Sequence, residues 1–116
     1  MHIEIVNVYI DNIDKSGDVV WQCRNILHSL PGDKTSDLMG WTYENINKGT
    51  ITQHSFNIQW EGNRVIWSSS RYINDEVVSE LLDIAGSITT IKGWLNNSDK
   101  GVELISYELY QTEDSN

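Results

Sequence analysis

Residues 3 to 10 read IEIVNVYI, almost wholly apolar and rich in β-branched side chains. That pattern suits a strand that is central in its sheet or covered on both faces. DNIDKSGD then supplies turn residues and a helix start. From there the apolar positions fall at Val19, Val20, Cys23, Ile26, Leu27 and Leu30. This i, i+4, i+7, i+8 spacing predicts a helix with one buried stripe, ended by Pro31 and Gly32. A polar loop is expected through about Gly40, followed by a short strand at WTYENI and a connection at NKG.

The run from residue 50 to 70 carries the strongest local pattern. With Gly62 and Asn63 as the central residues of a II′ or I′ turn, Glu61 faces Arg64, Trp60 faces Val65 and Ile58 faces Trp67. One face of this hairpin holds Phe56, Ile58, Trp60, Val65 and Trp67. The other holds Ser55, Asn57, Gln59, Glu61, Arg64, Ser68 and Ser70, with Ile66 out of place. An apolar face opposite a polar one is what a sheet covered on one side requires, so the two tryptophans are expected in the core.

Asn74 is a suitable N-cap, and Asp75 and Glu76 stand in the first turn, where the helix dipole favours negative charge. The periodicity predicts one helix from there to about Leu95, its second half weakened by Gly86, Thr89, Thr90 and Gly93. NNSDKG reads as a loop and VELISYELYQ as a last strand. The expected architecture is α+β: an antiparallel sheet of four to five strands with two helices packed on one face, in the ferredoxin-like order β-α-β-β(-β)-α-β. Residues 1–111 form a single domain in this reading, and 112–116 a polar tail expected to be disordered.

Charge narrows the choice of partner. The 116-residue chain has 17 acidic against 8 basic residues, a net charge of −9, with ten of the acids in residues 51 to 116. Direct nucleic-acid binding is disfavoured, because that affinity comes largely from counterions released by Lys and Arg. A basic protein would be attracted and steered by the same field. No apolar run approaches the length that spans a bilayer, so no membrane partner is expected. One unpaired cysteine, and a start lacking the basic and small-residue features of a signal peptide, point to a reducing cytoplasm.

Motifs for chemistry are weak. Asn12, Asp14, Ser16 and Asp18 stand at alternate positions of a calcium-type loop with Gly17 sixth. The loop fails at its first position, an asparagine, and at its twelfth, Cys23, where a bidentate glutamate belongs. Lys34 and Thr35 in PGDKTSD lack the glycine pattern of a phosphate loop. His2, His28 and His54 lack metal-ligand spacing, Cys23 sits on an apolar helix face, and Ser68 to Ser70 lack a nucleophile elbow. Neither a catalytic residue, a metal nor a cofactor is assigned.

Two surfaces remain. Continued along one helix, steps of 100° place Glu76, Glu80, Asp83 and Trp94 together, away from the apolar arc. Trp21 and His28 lie opposite the buried stripe of the first helix, and Glu108 and Tyr110 add an acid and an aromatic on the last strand. These eight residues are the expected partner-binding set, with Trp94 as anchor.

The leading expectation is a non-catalytic acidic protein that neutralises a basic partner, in the manner of an immunity protein for a nuclease toxin or a phage-encoded inhibitor of a defence nuclease. The alternative is a small-molecule-binding or enzymatic domain, with a pocket at the aromatic face of the hairpin lined by Trp60, Trp67 and His54. The chain is expected as a monomer or a homodimer, the latter through a strand edge at Ser68–Ser70 or in the final strand.

Overall fold

The computed structural model describes residues 1–30 and 33–112 and, of residues 33–36, the backbone alone. Four strands, β1 (His2–Ile10), β2 (Ile51–Glu61), β3 (Arg64–Ile73) and β4 (Val102–Gln111), form one antiparallel sheet in the order β2-β3-β1-β4. Four helices fill the connections. Helices α1 (Val19–His28) and α2 (Asp33–Lys48) lie between β1 and β2, and α3 (Asp75–Ala85) and α4 (Ile88–Leu95) between β3 and β4. A short 3-10 turn, Ser98–Lys100, leads into β4.

The apolar first strand is central, as its composition requires. Along β1 the residues Glu4, Val6, Val8 and Ile10 are buried, while Ile3, Ile5, Asn7 and Tyr9 between them keep partial exposure. The sheet therefore has one face under the helices and one left open. The covered face meets Cys23 and Leu27 of α1, Leu38 of α2, Val77, Leu81 and Ala85 of α3 and Ile91 of α4 in a single core. Cys23 is fully buried, and that burial pushes its thiol up to about 11, so its stem packs as a small apolar group.

The hairpin has the register that its pattern predicts, with Glu61 opposite Arg64, Trp60 opposite Val65 and Ile58 opposite Trp67. Gly62 has φ of 65° and no positive φ is found at Asn63, the combination of a II′ turn. Its apolar face is less deeply buried than expected. Val65 is fully buried, whereas Phe56 is 44 % and Trp60 37 % exposed. β2 is an edge strand, and of its residues only Ile51 is buried.

The sequence around residues 33 to 48 is helix where a polar loop and a short WTYENI strand are expected. Of its described side chains the most deeply buried are Leu38, Thr42 and Asn45, two of them polar, with Met39, Trp41 and Ile46 partly buried beside them, so the helical period is weak in hydropathy. Both polar groups are satisfied within the helix: Thr42 Oγ1 donates to the Leu38 carbonyl at 2.9 Å, and Asn45 Nδ2 to the Trp41 carbonyl at 2.9 Å. Asn45 Oδ1 also accepts from Thr50 Oγ1 at 2.6 Å, which fastens the helix end to the start of β2. The sheet accordingly has four strands, and the helices number four among the described residues.

The long helix expected from residue 75 to 95 is divided at Gly86, whose φ of 79° lies where an L side chain is strained. Ser87 then caps α4 by accepting from the Thr90 N–H at 3.1 Å. The break changes the helical phase, so residues of α3 and α4 do not share one continuous face. The acids before α1 serve local structure. Asp14 accepts from the N–H and the hydroxyl of Ser16, and Asp18 caps α1 through the Trp21 N–H at 2.9 Å. The Ser68–Ser70 segment belongs to a central strand and offers no edge, leaving β2 and β4 as the sheet's edges. Pro31, Gly32 and the tail from residue 113 lie outside the described residues, as do the side chains of Lys34 and Thr35. No helix among the described residues is long and apolar enough to cross a membrane.

Candidate ligand pocket

Between the covered face of the sheet and helices α1 and α2 lies a pocket of about 340 Å3. That falls within the range of about 300–1,000 Å3 usual for small-molecule sites. The sheet supplies its floor and the helices its roof. Alternation in β3 directs Trp67, Ser69 and Arg71 to the same face, and Phe56 and Gln53 of β2 lie beside them. Ser69 is the reason for the space. It stands opposite Val6 on one side and Phe56 on the other, so a two-atom side chain occupies a position where its strand neighbours carry an indole and a guanidinium.

The walls are mostly apolar. Leu27, Leu38, Met39 and Ile46 descend from α1 and α2, and Leu95 closes the side nearest α4. Phe56 meets Trp67 edge to face, with ring centroids 4.7 Å apart at 75°, so two aromatic rings border the cavity at the β2 edge. The mouth is formed by exposed residues: Arg24 of α1, Tyr43 of α2 and Phe56 of β2. The Arg24 guanidinium lies 5.7 Å from the Tyr43 ring centroid, and His28, one turn on, stacks near the same ring at 6.2 Å.

At the depth of the pocket Glu4, 4 % exposed, carries the one carboxylate of the lining among the described residues. Arg71, its direct neighbour across the β1–β3 ladder, donates Nε to Glu4 Oε2 at 2.5 Å, and its Nη2 forms an ion pair with the same oxygen. Tyr107 of β4 donates its hydroxyl to Oε1 at 2.5 Å. Burial, followed by the charge of Glu4, holds the Tyr107 phenol well above its usual value. Both carboxylate oxygens are thus satisfied, as a buried charge requires. Other polar groups are left available. Arg71 Nη1, Arg24 and the Ser69 hydroxyl have no hydrogen-bond or ion-pair partner among the described residues.

None of these polar residues belongs to the partner-binding set expected from the sequence. Glu4 is masked by the apolar run around it, and Arg71 and Tyr107 become its neighbours only through strand pairing. One signal was available: with β1 central and apolar, a lone glutamate in phase with Val6, Val8 and Ile10 must face the core and needs a cation there. The pocket does use the hairpin's aromatic face, through Phe56 and Trp67. Trp60 and His54 are not part of it. The Trp60 ring lies 5.4 Å from Lys15 Nζ, and His54 packs against Tyr72, 4.5 Å between centroids.

The expected surface residues are dispersed. Glu76, Glu80 and Asp83 are exposed on α3, and Glu80 accepts a hydrogen bond from Trp41 Nε1 at 3.1 Å. Trp94 is on α4, partly buried and packed against the core, so it is not a projecting anchor beside those acids. Trp21 is the indole that does project, at 63 % exposure. His28 is exposed near the pocket mouth. Glu108 and Tyr110 stand on β4 opposite Ile5 and Ile3, on the open face of the sheet. Chains of known function give no further guide: no protein family, curated protein or solved structure matches this sequence.

Two outcomes follow from the buried network. Arg71→Met leaves the Glu4 carboxylate buried with Tyr107 alone and is expected to cost about 3–5 kcal/mol in urea unfolding, whereas Glu4→Leu with Arg71→Met, which removes both charges, costs less than the single change. The second concerns pH. The folded chain keeps the Tyr107 proton that the unfolded chain releases above the ordinary phenol value of 10.0, so this contribution is fully present below that pH and is lost as pH rises beyond it. Tyr107→Phe should flatten the fall in stability above about pH 10, measured by denaturation at each pH.

Proposed function

We propose that this chain is a small-molecule-binding domain whose ligand occupies the pocket between the β2–β3 hairpin and helices α1 and α2. The observation that carries the reading is a cavity of about 340 Å3 with apolar walls and a polar floor that is already hydrogen-bonded internally. Such a floor does not need a ligand in order to be stable, yet Arg71 and Ser69 still offer donors to one. In this reading the sheet is a variant of the ferredoxin-like arrangement in which each crossover carries two helices. The extra helix of the first crossover, α2, roofs the pocket. The protein acts in the cytoplasm, as a monomer or homodimer, without nucleic acid as a partner.

The test uses a neutral apolar fluorophore, N-phenyl-1-naphthylamine. The native chain is expected to enhance its emission with saturation at one site per chain, and Ser69→Phe, which places a ring in the cavity, to abolish that enhancement with an unchanged circular dichroism spectrum. Equal enhancement by both proteins would locate the dye elsewhere and remove the support.

A second reading is favoured by a separate observation. Glu76 and Asp83 are exposed on α3 and have no ion-pair partner among the described residues, in a chain of net charge −9. An acidic face of this kind suits a protein that neutralises a basic partner, such as a nuclease toxin, by covering its phosphate-binding cleft. On this reading a basic protein is retained from the native cell at low salt and released at high salt, and Glu76→Lys with Asp83→Lys abolishes its retention. Retention indifferent to both salt and the substitutions would exclude it.

A further inference from the structure

The charges lining the pocket differ in sign from those of the chain as a whole. Among the described residues its walls carry two guanidiniums, Arg24 and Arg71, against the single carboxylate of Glu4, in a protein whose net charge is −9. Glu4 is already engaged by Arg71 and Tyr107. Among the described residues no carboxylate lies within ion-pair distance of Arg24. Its neighbour is instead the face of Tyr43, which leaves the guanidinium's hydrogen-bond donors unused. Position matters as much as charge. Arg24 is exposed, Arg71 is partly buried beside Glu4, and Phe56, Trp67, Met39 and Ile46 are among the apolar residues of the same lining.

An apolar body fits those walls, and a cation at the entrance is left for its head group. We infer that the ligand is a small amphipathic organic anion: a flat or aromatic apolar body seated over Ser69 and against Phe56 and Trp67, with one carboxylate, sulfonate or phosphate group held by Arg24. This deepens the proposed pocket function and rests on it. A neutral apolar molecule would leave Arg24 unpaired, and a cation would meet two guanidiniums. A dianion gains little over a monoanion, because the field beyond the pocket is that of an acidic protein. The planar guanidinium also favours an oxyanion that can accept two parallel hydrogen bonds.

The experiment compares two dyes that share one skeleton. 8-Anilinonaphthalene-1-sulfonate has a sulfonate that N-phenyl-1-naphthylamine lacks, and both are titrated by fluorescence against the native chain, Arg24→Gln and Ser69→Phe. Arg24 is exposed, so its replacement does not disturb the core. The anionic dye is expected to bind the native chain about tenfold more tightly than the neutral one, as a charge-assisted hydrogen bond would give. Arg24→Gln should remove that preference while leaving the neutral dye's affinity in place, and added salt should narrow the gap for the native chain alone. Ser69→Phe should abolish both. Equal affinity for the two dyes, unaffected by Arg24→Gln but lost in Ser69→Phe, would overturn the anion inference and keep the pocket. If neither dye binds, or if Ser69→Phe binds both as the native chain does, the pocket reading falls and the inference with it.

Discussion

Glu4 places a carboxylate in the interior of a small protein, and three adjacent strands share in keeping it there. β1 contributes the acid, β3 the guanidinium opposite it and β4 the phenol that holds the other oxygen. An unpaired carboxylate at that depth would cost several kcal/mol in desolvation alone. Correct pairing of β3 and β4 against β1 is therefore tied to satisfaction of one charge. A two-residue slip of β3 keeps every side chain on its own face but exchanges Arg71 for Ser69 or Ile73 beside Glu4. The apolar residues around it, Val6, Val8, Ile10, Val65 and Ile73, tolerate such a slip far better than the charge does.

The same arrangement has a consequence for packing. A guanidinium and a phenol directed at the acid need room, and Ser69 between Trp67 and Arg71 does not fill the space above it. Helices α1 and α2 contribute Leu27, Leu38, Met39 and Ile46 to the other side of the cavity. The pocket lies where the polar cluster and the apolar core adjoin. An apolar wall and a charged floor within one cavity follow from that position, and so does the amphipathic character of a molecule that would fit.

Electrostatics separates the two functional readings by place. The net negative charge is carried on surfaces such as the outer side of α3, while the pocket walls carry a local excess of positive charge. The division of the long helix at Gly86 weakens the idea of an acidic patch organised around one indole, since Trp94 packs against the core and α3 keeps the acids. Trp21, which projects most, stands on α1 and belongs to neither group.

Local pattern determined a definite part of this protein. The run IEIVNVYI suits a strand central in its sheet or covered on both faces, and β1 is central; Gly62-Asn63 set the hairpin and with it three cross-strand pairs, and the stripe from Val19 to Leu27 made a helix with a buried cysteine. These follow from interactions between residues near one another in the chain, whose signature is periodic. Helix α2 is not legible in hydropathy because Thr42 and Asn45 take inward positions and satisfy themselves on carbonyls one turn back. The candidate site was decided by tertiary structure alone. Glu4, Arg24, Ser69, Arg71 and Tyr107 lie on four elements, and each is unremarkable in its own segment. Whether a buried acid finds its cation, and whether a serine leaves a void or is covered, depends on which strands lie side by side and how far the helices reach over them.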